Sequence, residues 1–469
     1  MSIMNYLAND NDWRFRPTAE CAGRVQPDWF RRGAIYQIQL RSFTPEGTLV
    51  AAAERLPWIA SLGVNVVYLS PVTLADDDMD KRYWSPRQIR SGTAEPRNPY
   101  RVKDYYAVDP EYGTEADLHA FIDAAHGLGL KVLLDVVFYH CGPKAVFIEE
   151  HPDWIFRETD GGVPSNLGWH FPPLRFANLG LCRYLWDNLD YWVREFDADG
   201  FRCDVADMVP LAFWETARRR LDAIKPGVIL LAEASQPEDH VFAFDCAYCF
   251  PFFNQAMNPF LHGEISAMDL AKIHVRLRDE RPAEALMLRY FENHDIVTDQ
   301  GADRDETVLG NDACEALLAL CFTLDGTPFI FNGQEIADRG VLKMFEKSPL
   351  DWAQAETAVG QARTALVREL ATLRRTCRAL TDGPSFWDPV MEDFDNLLAF
   401  DREADDGTRA NVFINYSKVP VSLACDGCDV SRKERKDRKV VRTVPALSRR
   451  AEISDGTLTL GPYGFAVFT

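Results

Sequence analysis

The chain has 469 residues, 47% of them apolar and 26% charged, close to the averages of soluble globular proteins. A chain of this length can bury most of its apolar surface without staples, which excludes disordered and fibrous architectures. Lys and Arg number 51 against 71 Asp and Glu, and the formal net charge of −20 is a field that repels nucleic acid and anionic membranes.

The N-terminal residues 1–33 are polar with isolated tryptophans and read as a wrap, without the apolar run of a signal peptide. No stretch approaches the roughly 18 consecutive apolar residues of a membrane span. A cytoplasmic protein with neither nucleic-acid nor membrane partners is expected. From residue 34 short apolar runs recur at 34–40, 64–70, 130–138, 200–205, 228–234, 243–247, 286–292 and 328–332. Helix-like segments at 49–62, 114–128, 180–197, 210–224, 264–280, 308–322 and 354–380 separate them. Near-continuous apolar runs suit strands buried on both faces, and eight of them alternating with helices predict an α/β fold, a (β/α)₈ TIM barrel.

Two departures divide the chain. Residues 139–179 form a long irregular stretch rich in Pro, Gly and aromatics, a length uncommon unless functional. After about residue 385 short β-type runs with Gly/Asp turns take over and predict an all-β sandwich. The expected domains are a barrel over 1–138 and 180–384, an insertion at 139–179 and a C-terminal domain at 385–469.

Eleven cysteines are scattered rather than framework-spaced. Cys203, Cys314 and Cys321 lie in apolar patterns and read as core thiols. Cys246/Cys249 and Cys425/Cys428 have the spacing of a four-cysteine zinc site, but they lie far apart, and reduced structural thiols are the simpler reading. The basic run 431–442 lacks the aromatic interleaving of a nucleic-acid patch and reads as a solvated hairpin.

Barrel chemistry sits at the C-terminal ends of the strands. There the third run carries Asp135 and His140, the fourth Arg202, Asp204 and Asp207, the fifth Glu233, and the seventh Glu292, Asn293, His294 and Asp295. Any one such Asp is more often a cap or turn former, and Arg202 and Asp204 could be an ordinary ion pair. Four strands repeating the pattern is harder to explain by packing, because a charge within an apolar strand is costly unless paired.

In order, the segments GAIYQIQLRSF (33–43), LGVNVVYLSPV (62–72), NPYRVKDYYAVDPEYGT (98–114), DVVFYH (135–140), GFRCDVAD (200–207), LLAEA (230–234), FENHD (291–295) and GTPFIFNGQEI (326–336) resemble glycoside hydrolase family 13, the α-amylase family. The likeness covers nearly the whole chain. It implies a retaining α-glucan hydrolase acting on α-glucosidic, mainly α-1,4, bonds of maltooligosaccharides and dextrins. By resemblance Asp204 is the nucleophile, Glu233 the acid/base and Asp295 the third carboxylate, with the retaining pair about 5–5.5 Å apart. Glu233 must start protonated, while Arg202 is expected to keep Asp204 ionised. His140 and His294 would bind the same sugar, Tyr100 would stack on it, and Asp135 would orient Arg202 and His140. The insertion 139–179 matches the family's B domain.

The pattern departs from the family where a structural calcium is usual: Tyr139 replaces an Asn and Met208 a His. No cofactor is therefore expected, since a phenol cannot stand in for an amide carbonyl around a hard cation. The acidic loop Asp76, Asp77, Asp78 and Asp80 reads as solvated rather than as another cation site. Asp207 stands where a lysine is frequent, so acceptor recognition should differ. Val205 is similar to members acting on α-1,6 bonds or on cyclomaltodextrins and pullulan. Trp154, Trp169, His170, Phe171, Phe250, Phe252 and Phe253 read equally as sugar platforms or as packing. A 4-α-glucanotransferase using the same residues is the alternative within the class. A catalytically silent glucan-binding subunit is the alternative outside it, disfavoured by the presence of all three carboxylates.

Overall fold

The computed structural model describes residue 14 and residues 16–165, 168–297, 303–424 and 444–469. The eight apolar runs form eight parallel strands: β1 (Ile35–Ile38), β2 (Val66–Leu69), β3 (Lys131–Val136), β4 (Gly200–Cys203), β5 (Ile229–Ala232), β6 (Cys246–Ala247), β7 (Leu286–Arg289) and β8 (Thr327–Phe331). They pair in sequence order and β8 pairs back onto β1, closing the barrel. Nearly every strand residue is buried, which explains why the runs read as continuous rather than alternating.

Seven long helices cover the barrel: Leu49–Ser61, Glu115–Gly127, Leu179–Phe196, Leu211–Ile224, Ala267–Asp279, Asn311–Thr323 and Ala358–Thr376. Several begin at side-chain caps, with reciprocal capping boxes at Thr114/Asp117 and Ser266/Asp269. Between β5 and β6 there is only the short turn Pro237–His240. The N-terminal wrap packs beside this connection: Arg24 N donates to His240 O, and its guanidinium binds Asp245 and Asp222.

The connection from β2 to β3 is long. It carries an antiparallel pair, Thr73–Ala75 with Val102–Val108, and a short helix Pro86–Arg90. The insertion 139–179 is held by two isolated bridges, His140 to Pro173 and Ile155 to Leu174.

The C-terminal domain has the antiparallel β character expected of it. Strands β9 (Ser385–Trp387), β10 (Leu397–Glu403), β11 (Arg409–Asn415), β12 (Val421–Ala424), β13 (Leu447–Ser454) and β14 (Thr457–Phe468) are joined in one hydrogen-bonded sheet. The long β14 is shared, pairing β11 with its last residues, β12 with its first, and β13 along its other edge. Cys203, Cys314 and Cys321 are buried core thiols, as is the Cys246/Cys249 pair. Cys425, Cys428 and the basic run 431–442 lie outside the described residues.

Candidate active site

Strand register brings the charged residues together. Asp135 lies beside Arg202 across β3 and β4, and Cys203 beside Ala232 across β4 and β5. The next residues, Asp204 and Glu233, therefore leave adjacent strand ends side by side, with Glu233 N donating to Cys203 O at 3.0 Å.

Arg202 is fully buried among these acids. Its Nη1 donates to Asp135 Oδ1 at 2.8 Å and to Asp204 Oδ1 at 2.7 Å, and Nη2 lies 2.8 Å from Glu233 Oε2. Arg202 thus serves three carboxylates alike. Burial raises Asp204 and Glu233 above the usual carboxylate range; Arg202 opposes this, and repulsion from the neighbouring carboxylates adds to it. The pair holds a proton above the pH at which a solvated carboxylate has lost its own.

Glu233 Oε2 also accepts from Val205 N at 2.7 Å. Among the described residues this leaves Glu233 Oε1 and Asp204 Oδ2 without a protein hydrogen bond. Val205 has φ +46°, a conformation a β-branched residue rarely adopts, at a cost of roughly 1–3 kcal/mol. That turn is what aims its N–H at Glu233.

Tyr68 and Tyr100 donate their hydroxyls to Asp135 Oδ2 at 2.6 and 3.0 Å. Asp135 therefore orients Arg202 as expected but does not bond His140, whose Nε2 donates instead to Tyr100 O at 2.8 Å. At the end of β7, Gln37 Nε2 donates to His294 Nδ1 at 2.9 Å, placing the ring proton on Nε2. That nitrogen is 2.7 Å from Tyr100 Oη and 3.3 Å from Asp295 Oδ2. The rings of Tyr100 and His294 are stacked, with centroids 5.5 Å apart. Burial depresses both His140 and His294 to about 4, so each is neutral at pH 7.

Asp295 is paired with Arg87, a residue sequence reasoning missed. Arg87 Nη1 donates to Asp295 Oδ1 at 2.7 Å and Nη2 to His294 O at 2.9 Å. Burial pushes Asp295 up, but His294, Arg87 and Arg202 outweigh it and hold the group below the ordinary range. Arg87 comes from the helix Pro86–Arg90, whose Ser85 N-cap and Pro86 at the first turn are a readable start signal. Nothing in that signal says which carboxylate the helix faces. Glu292 is a supporting residue, accepting from Arg304 Nη2 at 2.8 Å and Asp305 N at 2.6 Å.

Asp204, Glu233, Asp295, His140, His294 and Tyr100 line one cleft of about 560 Å³, with Val205, Arg87 and Arg90. Of the candidate platforms, Trp169, Phe171 and Phe250 line it. Trp154 and Phe252 are buried, Phe253 stacks on Tyr290, and His170 turns its ring to Trp84 O. Asp207 does not line it and lies beside the backbone of Ser235 and Gln236.

The residues at the usual calcium position do not fit a hard cation. Met208 is an exposed thioether, and Tyr139 packs edge-on to His140 and Trp169. The acidic loop is not simply solvated, which corrects that expectation. Asp76 is fully buried, accepts from Asp78 N at 2.8 Å and Lys144 N at 2.7 Å, and lies 3.7 Å from Arg101. Lys103 and Arg82 pair with Asp77 and Asp80. Basic side chains and amides occupy the positions a metal would need.

The family model for the α-amylase catalytic domain matches residues 24–371. The intracellular maltogenic amylase of Bacillus subtilis (strain 168) is 27% identical over 411 residues, covering 83% of this chain and 65% of that protein. The chain thus spans slightly less than two thirds of that relative's length. A cyclomaltodextrinase of Geobacillus thermopakistaniensis is 25% identical over 455 residues, covering 90% of this chain and 70% of the relative. Among solved structures, an α-amylase from Lactobacillus plantarum superposes with a TM-score of 0.75 at 24% identity, over 94% of this chain and all of that one. The cyclic α-maltosyl-(1→6)-maltose hydrolase of Arthrobacter globiformis gives 0.74 at 21% identity, over 94% of this chain and 99% of the other.

Proposed function

The chain belongs to the α-amylase family, and from the geometry of its cleft we propose that it is a retaining α-glucan hydrolase. Its substrates are maltooligosaccharides and dextrins, cleaved mainly at α-1,4 bonds through a covalent glycosyl-enzyme intermediate. The observation that carries this reading is one buried guanidinium holding Asp204 and Glu233 side by side, each with one oxygen left over. Close-set carboxylates suit a retaining mechanism, whereas an inverting pair must leave room for a water.

In this reading Glu233 Oε1 carries the proton, because Oε2 is already an acceptor from Arg202 and Val205. It protonates the leaving oxygen while Asp204 Oδ2 attacks the anomeric carbon. The resulting carboxylate then deprotonates the water that releases the sugar. Asp295, kept ionised, binds sugar hydroxyls with neutral His140 and His294, strengthening those contacts as positive charge develops. Tyr100 supplies an apolar face, and Asp135 fixes Arg202. We take 139–179 as the family's B domain, part of the cleft wall, with the barrel at 1–138 and 180–384 and the sheet domain at 385–469. No described helix is long and apolar enough to cross a membrane. The likeness to the intracellular maltogenic amylase of Bacillus subtilis supports a cytoplasmic location.

The test is a product profile. Maltoheptaose is expected to yield only shorter sugars, released first as the α-anomer; products longer than the substrate would replace hydrolysis by glucanotransfer. Arg87 has a role here as a positioning residue for Asp295. Arg87→Gln is expected to lower kcat/KM by roughly tenfold, on the scale of one charge-assisted contact. It should also move the acid limb of the pH profile upward, since Asp295 loses a cation that holds its proton off. An unshifted acid limb would reduce Arg87 to a packing role.

A further inference from the structure

A second cavity of about 530 Å³ opens at the opposite, N-terminal face of the barrel. It lies where the chain enters β7 and β8, roofed by residues leading into β9. Arg289 on β7 lines it, fully buried, with its guanidinium over the ring of Phe252. Nε donates to Asp325 O at 2.5 Å, but Nη1 and Nη2 have no hydrogen-bond partner among the described residues. The nearest carboxylate oxygen, Asp325 Oδ2, is 3.9 Å from Nη2, and Asp325 lies 3.0 Å from His274 Nε2.

The other acids of the cavity have partners of their own, and Asp382 also faces Arg31. Asp279 pairs with Arg278, Asp382 with Arg378, and Glu284 accepts from Gly23 N. Arg31, half-buried on the same wall, makes no side-chain hydrogen bond or ion pair among the described residues, and its Nε is buried. Arg281 also lines the cavity, with both Nη groups on backbone carbonyls and Nε unpartnered.

Two more buried arginines stand behind this wall. Arg374 donates to the carbonyls of Gly33, Arg31, Gly326 and Leu380, and Arg402 to those of Gly383 and Thr323. Carbonyls satisfy hydrogen bonds but not net charge. Burial, then mutual repulsion, brings Arg374 down to about 9, and burial chiefly brings Arg402 to about 10. Arg289, Arg374 and Arg402 thus share Asp325 as a buried counter-charge, with Asp382 contributing to the last two. Three buried cations on so few carboxylates are unfavourable, and water in the cavity could meet the free donors of Arg289 without cancelling the excess charge.

We propose that this cavity is an oxyanion site that binds inorganic phosphate or the phosphate group of a small monoester, held by the fork of Arg289 and by Arg31. The two free Nη groups present the planar, paired donors that match two oxygens of a phosphate. A dianion suits a cluster in which the guanidinium groups outnumber the carboxylates they share, Asp325 and Asp382, better than a monocarboxylate does. The cavity is larger than a phosphate ion, which leaves room for an organic substituent beside Pro282 and Pro384. The site stands on its own observations and does not depend on the reading of the catalytic cleft.

The test is thermal unfolding and calorimetric titration of the full chain with inorganic phosphate, with glucose 1-phosphate, and with sodium chloride at matched ionic strength. Phosphate at about 10 mM is expected to raise Tm by a few degrees in a saturable manner, as linkage to a native-state site requires, while chloride does not. A stronger response to glucose 1-phosphate identifies the ligand as a monoester; an equal one identifies it as phosphate itself. Arg289→Met should abolish the response and be no less stable than the parent in phosphate-free buffer, because it relieves an excess of buried positive charge while Asp325 keeps His274, Arg374 and Arg402. Arg31→Ala, at a half-buried position, should weaken binding about tenfold and covers the case in which the first variant fails to fold. No saturable response in the parent chain, or an undiminished one in Arg31→Ala, would overturn the proposal.

Discussion

Glu233→Gln is expected to lower kcat on maltooligosaccharides by roughly 10²–10⁴-fold, the usual contribution of a positioned general acid and base. The amide oxygen can still accept from Arg202 and Val205 N, the two bonds that fix this side chain, so the fold should hold. What is lost is the proton on the other carboxyl oxygen. The deficit should therefore shrink for a substrate whose leaving group needs no protonation, such as an α-glycosyl fluoride. A variant slowed equally on both substrates would point to damaged binding rather than to lost acid catalysis.

Arg202→Met carries the largest expected cost in stability. It leaves Asp135, Asp204 and Glu233 without their shared buried cation, and breaking such a pair costs about 3–5 kcal/mol. The carboxyls can soften this by taking up protons, which raises their folded pKa values further above the unfolded ones. Stability from a raised pKa is present at low pH and lost as pH climbs through the folded value. The drop in Tm should accordingly be smaller at pH 5 than at pH 8. Equal drops at both pH values would mean that Arg202 supports the barrel by packing alone.

The parts of the site that the sequence shows are those set by strand register. Asp135, Arg202, Asp204 and Glu233 are adjacent because β3, β4 and β5 are adjacent, and short apolar runs mark those strands without ambiguity. His294 and Asp295 follow from the same logic on β7. Arg87 is different: it reaches Asp295 from a helix in the long β2–β3 connection, 208 residues away in the chain. Local pattern marks that helix's start but not its destination. The acidic loop misleads for a related reason, since four acids within five residues read as solvated until Arg101 and the Lys144 amide close over Asp76. That Asp204 rises together with Glu233 is also illegible, because it depends on burial and on how closely the neighbouring carboxylates are set. The barrel-base arginines were absorbed into apolar strand and helix patterns, where a single Arg reads as an exception rather than a cluster.

The most direct test of the central claim is to trap the intermediate. Glu233→Gln incubated with an α-maltosyl fluoride should accumulate a glycosylated protein, because the first step no longer needs an acid while the second still needs a base. Mass spectrometry of its peptic fragments is expected to place the sugar on Asp204. A stable adduct on another residue, or turnover with inverted anomeric product and no adduct, would contradict the assignment of Asp204 and Glu233 as a retaining pair.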